Sequence, residues 1–360
     1  MTNRPRHPLR FLAGLVAAAA VTACGGGGGG GGGAALDPAA PGTPVSPGSS
    51  GGSTEVTATS ALTVAFDASK IPTRAAGLAV EQIQYTGKSG FASDLGAFRV
   101  NCDFSHMASD DPIVHPNQPG RSHLHTFFGN TGTDAYSTAA SIAQGGASTC
   151  RGGTANRSAY WVPTMIDTRT GTPIKPSSAM IYYKTGYNGI RPDMVQPMPA
   201  GLRMIAGDAR NAKPEGPAKF VCIGAGAESM TGHEIQNCPA GSQLWQLVYF
   251  PQCWDGANLD SPDHKSHMSY PVDGTCPKTH PVALPEVSYN VIYEVTEANA
   301  PKSWRLASDT YDPSLPGGYS SHGDWFNGWK DDVMRTFVDK CTRASVDCYA
   351  NLLGDGRELQ

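Results

Sequence analysis

The chain has 360 residues, a formal net charge of −4 and 16% charged residues, against about 25% in an ordinary globular protein. The near-neutral charge and the absence of lysine and arginine clusters argue against nucleic acid as a partner. The 43 glycines and 28 prolines indicate many turns and few long helices.

The first 23 residues have the pattern of an export signal. Three arginines precede the apolar run FLAGLVAAAA, which is too short to span a bilayer. The run ends in VTAC, which resembles the lipobox of bacterial lipoproteins, where Cys24 is acylated. We therefore expect cleavage before Cys24 and lipid anchoring to a bacterial membrane, facing the periplasm or the cell surface. An ordinary signal-peptidase site is the alternative.

Residues 24–60 are rich in glycine, then in proline, serine and threonine, with almost no large apolar side chain. Such a composition cannot offset its ordering entropy, so we expect a flexible tether. Residues 61–360 are predicted to form a single globular domain, because no second low-complexity linker or fixed-period repeat interrupts them.

Within the predicted domain, short segments rich in β-branched and aromatic residues recur between turn signals. Seven are predicted strands: Leu62–Phe66, Phe98–Cys102, Tyr160–Met165, Ala179–Lys184, Lys219–Cys222, Leu244–Phe250 and Val287–Val295. Ala135–Gln144, with Asp134 as N-cap, and Trp329–Cys341 have helical spacing. The pattern predicts a mainly β, sandwich-like single domain with long loops and a C-terminal helix.

Eight cysteines follow Cys24: Cys102, Cys150, Cys222, Cys238, Cys253, Cys276, Cys341 and Cys348. An even set in an exported chain predicts disulfides. Zinc binding by cysteine pairs is the weaker alternative, because no CxxC motif occurs. The spacing leaves the pairing open, with Cys222–Cys238 and Cys341–Cys348 as candidate local bridges.

The first of three polar segments, Asp110–Gly129, places His123 and His125 two residues apart. In an extended strand, residues i and i+2 point to the same face, so both imidazoles would converge. Metal sites use three or four such N or O ligands. We expect a divalent metal on His123 and His125, with His264 or His322 and an aspartate. The alternative is that each histidine is merely hydrogen-bonded in a loop.

The second polar segment, Cys253–Pro271, and the third, Gly317–Trp329, mix His and Asp with Gly and aromatic residues, which is typical of ordered functional loops. Carboxylates from the three segments suggest a second kind of site, a general acid–base site. Asp111 with Asp263 or Asp324 would serve as general acid and base on a glycosidic bond. Aspartates that cap turns are the competing interpretation. The candidate substrate-binding residues are Arg121, Trp254, Lys265 and Trp325, since aromatic rings stack on sugars.

Several long motifs resemble a known family. Among them are RVNCDFSHMASDDPIVHPNQPGRSHLHTFFGNT, VYFPQCWDGANLDSPDHKSHMSYP and GGYSSHGDWFNGW. They resemble the DUF1996 family, secreted proteins of fungi and bacteria without an assigned function, over about residues 98–356. The resemblance implies export, one large domain and a site built from the three polar segments. It implies no reaction, substrate or catalytic residue.

The sequence thus predicts a surface-anchored protein whose metal-dependent polar site acts on or binds an extracellular polysaccharide. An enzyme of this kind would be a hydrolase or a lyase. A non-catalytic carbohydrate-binding module and a structural surface module are the alternatives. The structural module predicts that the three polar segments do not meet in space.

Overall fold

The computed structural model describes residues 63–185, 188–224, 226–227, 230–296 and 300–360. These residues belong to one compact unit, Thr59–Gln360. The predicted export signal, Cys24 and the tether lie outside the described residues. Among the residues that are described, no helix has both the length and the apolar character needed to cross a membrane.

The architecture is mainly β. In chain order the strands are β1 Ile83–Tyr85, β2 Phe91–Ala92, β3 Ala97–Cys102, β4 Phe104–Ala108, β5 His125–Gly129, β6 Ala159–Pro163, β7 Met165–Asp167, β8 Thr172–Pro173, β9 Ser178–Lys184, β10 Arg203–Gly207, β11 Ala218–Ile223, β12 Thr231–Gly232, β13 Gln243–Tyr249, β14 Cys253–Trp254, β15 Met268–Ser269, β16 Val282–Ala283, β17 Glu286–Glu294, β18 Trp304–Leu306, β19 His322–Phe326, β20 Val346–Ala350 and β21 Arg357–Leu359. The helices are α1 Ala139–Gln144 and α2 Asp331–Phe337, with short 3-10 turns at Ala68–Lys70, Pro192–Met194 and Ala300–Ser303. A π-helical turn, Val338–Thr342, continues α2.

Two large sheets form the sandwich. One has the strand order β12-β11-β13-β17-β9-β3-β20-β2, and the other has the order β10-β19-β6-β5-β4. Among the described strands, β3 and β20 pair in parallel and the remaining pairs of these two sheets are antiparallel. Three small sheets, β1-β21, β15-β14-β16 and β18-β7-β8, flank them. The predicted sandwich-like fold is therefore confirmed.

Alternating side chains explain how the two sheets pack. In β13, every second residue, such as Leu244 and Val248, is buried, and the intervening residues are partly exposed. This period-two pattern buries one face of the strand, at about 1.5–3 kcal/mol of stabilisation per large apolar side chain. Across the interface, the Tyr289 hydroxyl donates a 2.6 Å hydrogen bond to the Asp324 carbonyl oxygen. The contact fixes the five-stranded sheet against the larger one.

Some predicted boundaries change. Residues 63–66 form no strand, because Val64 and Phe66 pack as a loop on a small apolar cluster; Leu62 lies outside the described residues. Helix α1 begins at Ala139 rather than Ala135, because Thr138 forms a capping box with Ser141.

The N-cap predicted at Asp134 is therefore wrong. Its carboxylate instead accepts a 2.9 Å hydrogen bond from the Tyr136 backbone N–H and stabilises a turn. Helix α2 begins at Asp331 rather than Trp329, since Trp329 forms a β-bridge with Asn156.

The eight predicted disulfide cysteines form four bridges: Cys102–Cys150, Cys222–Cys238, Cys253–Cys276 and Cys341–Cys348. Both candidate local bridges are among them. The Cys253–Cys276 bridge closes the second polar segment into a loop beside β10. Four disulfides fit a protein exported to an oxidising compartment.

Candidate metal centre

Two strands of the five-stranded sheet, β5 and β19, carry the base of the site. They lie on either side of β6, which pairs Pro163 with His125 and Trp161 with Asp324. Since side chains alternate across a strand and paired residues share a face, His125, His322 and Asp324 project from the same face of the sheet. The first and third polar segments therefore meet here.

The third polar segment is not the loop that its composition indicates, because its centre is the buried strand β19. Gly323 explains why a strand with so few apolar residues fits there. A Cβ at this position would lie 3.2 Å from Phe250, Tyr289 and Val248 of the opposing sheet. Glycine permits this close approach, while the polar neighbours of Gly323 point into the site.

His123, which precedes β5, completes a cluster of three histidines. The Nε2 atoms of His123 and His322 are 3.2 Å apart. The ring centroids of His123 and His125 are 4.2 Å apart, and those of His125 and His322 are 5.7 Å apart. One ring nitrogen of each histidine lies within 4.8 Å of those of the other two. The structure thus brings together three of the four predicted histidine ligands.

Backbone carbonyl groups orient two of these rings. The Nδ1 of His125 donates to the Asp110 carbonyl oxygen at 3.0 Å, and the Nδ1 of His322 donates to the Ser320 carbonyl oxygen at 2.8 Å. A neutral imidazole that donates through Nδ1 has a lone pair on Nε2. Both Nε2 lone pairs are thereby directed into the cluster, as in metal sites whose histidines are fixed by a carbonyl group.

Two buried carboxyl groups lie beside the histidines. One oxygen each of Asp111 and Asp324 lies within 4.8 Å of the other and of a nitrogen of His125. The Asp111 Oδ1 accepts hydrogen bonds from the backbone N–H groups of Ile113 and Val114, both at 2.9 Å. The Asp324 Oδ2 lies 3.9 Å from the Nε2 of His322. Two of the three predicted catalytic aspartates therefore converge on the histidine cluster.

Burial sets the protonation of the histidines. It lowers the pKa of His125 to about 3 and that of His322 to about 4. Burial, followed by the neighbouring histidines, also lowers the pKa of the half-buried His123. Without a cation all three rings are therefore neutral near pH 7, so each keeps a lone pair that a metal can accept.

The pKa values of the two buried carboxyl groups are raised instead of lowered. Burial raises the pKa of Asp111, and burial together with the nearby Asp111 charge raises the pKa of Asp324. A bound divalent cation would reverse both shifts, because its charge stabilises carboxylates.

Two polar atoms at the centre have no hydrogen-bond partner among the described residues. They are the His125 Nε2 and the Asp324 Oδ2, and both are completely buried. Leaving such an atom unpaired costs about 1–3 kcal/mol. Two donor groups, one of three imidazole nitrogens and one of an imidazole nitrogen with two carboxylates, share His125, and such N and O donors suit first-row transition metals. The residues therefore fit a divalent metal.

His264 does not join this donor set. Its Nδ1 lies 3.0 Å from the Asp260 Oδ1, and the other oxygen of Asp260 accepts a 2.9 Å hydrogen bond from Arg203. This pairing holds the ring at the wall of the site. The predicted ligand His264 therefore lies near the centre, with one ring nitrogen already engaged by a carboxylate.

A cleft of about 370 Å³ opens onto the centre. The residues that line it include His123, His322 and Asp324 from the sheet end and Asp263, His264 and Lys265 from the second polar segment. Hydrogen bonds from the Ser266 backbone N–H and from the Ser261 and Ser266 hydroxyls hold the pKa of the exposed Asp263 well below its ordinary value, so this carboxylate stabilises its own loop. Lys265 donates to the Gly207 carbonyl oxygen at 2.7 Å and faces the cleft. All three polar segments thus contribute to one cavity.

The remaining candidate substrate-binding residues lie elsewhere. Trp325 has no exposed surface, because it follows Asp324 in a strand and must face the sandwich core, where its ring packs near Tyr183. A buried ring cannot stack on a sugar, so this prediction is wrong for Trp325. Trp254 donates to the Asn258 carbonyl oxygen at 2.6 Å, and Arg121 is exposed; neither lines the cleft.

Sequence reasoning missed part of the cleft wall. Asp208 and Arg210, which follow β10, line it together with Ile205 and Gly207. The motif GLRMIAGDAR contains them, but no spacing in it indicates a site. Only the pairing of β10 with β19 brings these residues beside the histidines.

The comparisons with known proteins identify the family and nothing further. A family model described as a domain of unknown function (DUF1996) matches residues 111–329, more than half of the chain. The match includes the five converging residues Asp111, His123, His125, His322 and Asp324. No curated protein and no solved structure matches the chain. The chain belongs to the DUF1996 family, whose function is unknown.

Proposed function

We propose that this protein is a metal-dependent hydrolase that acts on an extracellular polysaccharide and is held at a bacterial membrane by acylated Cys24. The observation that carries the proposal is the convergence of His123, His125 and His322 within 4.8 Å, with buried carboxylates beside them. Carboxylates alone would instead favour hydrolysis without a metal.

The geometry of the histidines fits a first-row divalent ion. With metal–nitrogen bonds of about 2.1 Å, two nitrogens 3.2 Å apart subtend about 100° at the ion. This angle lies between those of octahedral and tetrahedral coordination. His123, His125 and His322 would hold the ion, and Asp324 or Asp111 would add a carboxylate oxygen. Calcium and magnesium are poor fits, because they prefer oxygen ligands.

The cleft residues then have definite roles in hydrolysis. An ion held by the histidines would supply Lewis acidity to a substrate oxygen. One carboxylate, of Asp111 or of Asp324, is not a metal ligand and accepts a proton from water. The remaining hydroxyl of that water bonds to the substrate carbon, and the carboxyl group then returns the proton to the leaving atom. Lys265, whose amine faces the cleft, orients polar groups of the substrate.

The test of the hydrolase proposal is metal-dependent product release. Purified protein is incubated with neutral polysaccharides before and after chelation, and then after re-addition of zinc, manganese or iron(II). The reducing ends that hydrolysis releases are measured. We expect release that chelation abolishes and one metal restores. Binding of a polysaccharide with no release in any metal state would instead favour the non-catalytic binding module.

The anchor at Cys24 has its own test. Lipid chains on Cys24 would place the protein in the detergent phase of a Triton X-114 separation, and Cys24→Ser would move it to the aqueous phase. Equal partitioning of the two proteins would contradict lipid anchoring.

A further inference from the structure

The cleft at the metal centre continues into two further cavities. The first, here called the central groove, has a volume of about 660 Å³ and shares Ile205, Gly207, Asp208, Arg210 and Lys265 with the cleft. The second, here called the far pocket, has a volume of about 720 Å³. It shares Gly216, Pro217 and Tyr270 with the central groove. Each cavity alone has the size of a small-molecule site, so three in series fit an extended chain.

Tyr270 lies where the central groove meets the far pocket. The residue is 42% exposed, although its hydroxyl donates a 2.8 Å hydrogen bond to the Tyr249 carbonyl oxygen. The ring is therefore fixed in orientation and still open to a ligand. Pro217 and Met268 also line the groove and add apolar surface beside it. An aromatic face of this kind binds the C–H face of a sugar ring with little loss of side-chain entropy.

The polar lining favours an uncharged ligand. The central groove carries three cationic side chains, Arg210, Lys213 and Lys265, and two anionic ones, Asp208 and Glu215. In the far pocket the Lys184 Nζ lies 3.1 Å from the Glu286 Oε1, so these charges balance. Groups of both signs suit hydroxyls, which donate and accept hydrogen bonds. They do not suit a polyanion, which would meet like charges.

The same wall argues against an extended peptide. Peptides commonly bind by adding a strand to an open sheet edge, and β10 is an edge strand beside the groove. The second polar segment already occupies both ends of that edge. At one end the Arg203 N–H donates to the Leu259 carbonyl oxygen at 3.0 Å, and His267 donates to the Arg203 carbonyl oxygen at 2.7 Å. At the other end Lys265 binds the Gly207 carbonyl oxygen.

We propose that the cleft, the central groove and the far pocket form one binding site for a neutral oligosaccharide, with Tyr270 as the stacking platform. The proposal rests on the proposed function for the position of the reacting bond, which lies at the histidine end. It places several sugar residues of the polymer between that end and the Lys184–Glu286 pair. Tyr270 is thus a substrate-positioning residue.

The test is calorimetric titration of the full chain with four neutral hexasaccharides, made of β-1,4-glucose, β-1,3-glucose, β-1,4-N-acetylglucosamine or β-1,4-mannose. We expect binding of at least one and a loss of about tenfold or more in affinity for Tyr270→Ala, because the apolar surface that the sugar and the Tyr270 ring bury on binding is lost. Tyr270→Phe keeps the ring and should retain most of the affinity. Tyr349→Ala is the matched control, since Tyr349 is 52% exposed and lines none of the three cavities.

The outcomes separate this proposal from the metal proposal. No binding of any neutral hexasaccharide, tighter binding of hexagalacturonate, or equal affinity of folded Tyr270→Ala and the unchanged protein would each overturn the groove proposal. Metal content is measured on the same samples. A metal-free protein that still binds sugar through Tyr270 would contradict the metal centre and leave the groove supported. A metal-loaded protein that binds no sugar would contradict the groove proposal and leave the metal centre supported.

Discussion

Replacement of His125 by alanine is expected to abolish stoichiometric metal binding. His125 belongs to both converging ligand sets, the three histidines and the Asp111–Asp324 pair. Loss of even an indirect partner of a metal ligand weakens affinity about 10–100-fold, so loss of this ligand should cost at least about 100-fold. Elemental analysis should find about one metal ion per chain in the unchanged protein and almost none in His125→Ala.

The control for this experiment is His280→Ala. His280 is partly exposed, and its Nε2 lies 2.9 Å from the Ser266 carbonyl oxygen, outside both ligand sets. This variant should keep its metal. Circular dichroism should show that His125→Ala remains folded, and added metal should raise the melting temperature of the unchanged protein far more than that of the variant. Equal metal content in the three proteins would contradict the assignment of His125 as a ligand.

Removal of the Cys102–Cys150 bridge is expected to have the largest effect on stability. The bridge joins the end of β3 to a loop 48 residues further along the chain, and both cysteines are completely buried. Chain entropy predicts that closing a loop of this length stabilises the fold by about 4 kcal/mol. The double variant Cys102→Ala/Cys150→Ala should lose about this much free energy of unfolding in a urea titration under oxidising conditions.

The matched control is Cys341→Ala/Cys348→Ala. This bridge spans only 7 residues, so the same entropy model predicts a loss of about 2–3 kcal/mol. The order of the two losses is the result that matters. A smaller loss for the long bridge than for the short one would show that loop entropy does not set the stability of this domain.

The fold was predictable where burial alternates along a strand. Leu244–Phe250 and Lys219–Cys222 read as strands, because one face of each packs on the core. Strand β19 was missed because its sequence, HGDWF, lacks that pattern. His322 and Asp324 serve the site instead of the core, and Gly323 serves close packing. A functional strand thus departs from the composition of a structural one.

Much of the candidate site was predictable from local spacing. The two-residue step between His123 and His125 correctly brought their rings together. The choice between His264 and His322 depended on strand pairing and on the Asp260 contact, neither of which spacing can show. The prediction that Trp325 binds substrate was wrong for a simpler reason. Adjacent residues in a strand face opposite sides of the sheet, so Trp325 faces away from the site into which Asp324 points.

The proposed metal centre is tested most directly by anomalous diffraction from crystals of protein purified without chelators. Data collected on both sides of the absorption edge of the metal found by elemental analysis locate that element. We expect one strong anomalous peak about 2.0–2.2 Å from the Nε2 atoms of His123, His125 and His322. A fully ordered histidine cluster without such a peak, or a peak bound only by other residues, would contradict the proposed metal centre.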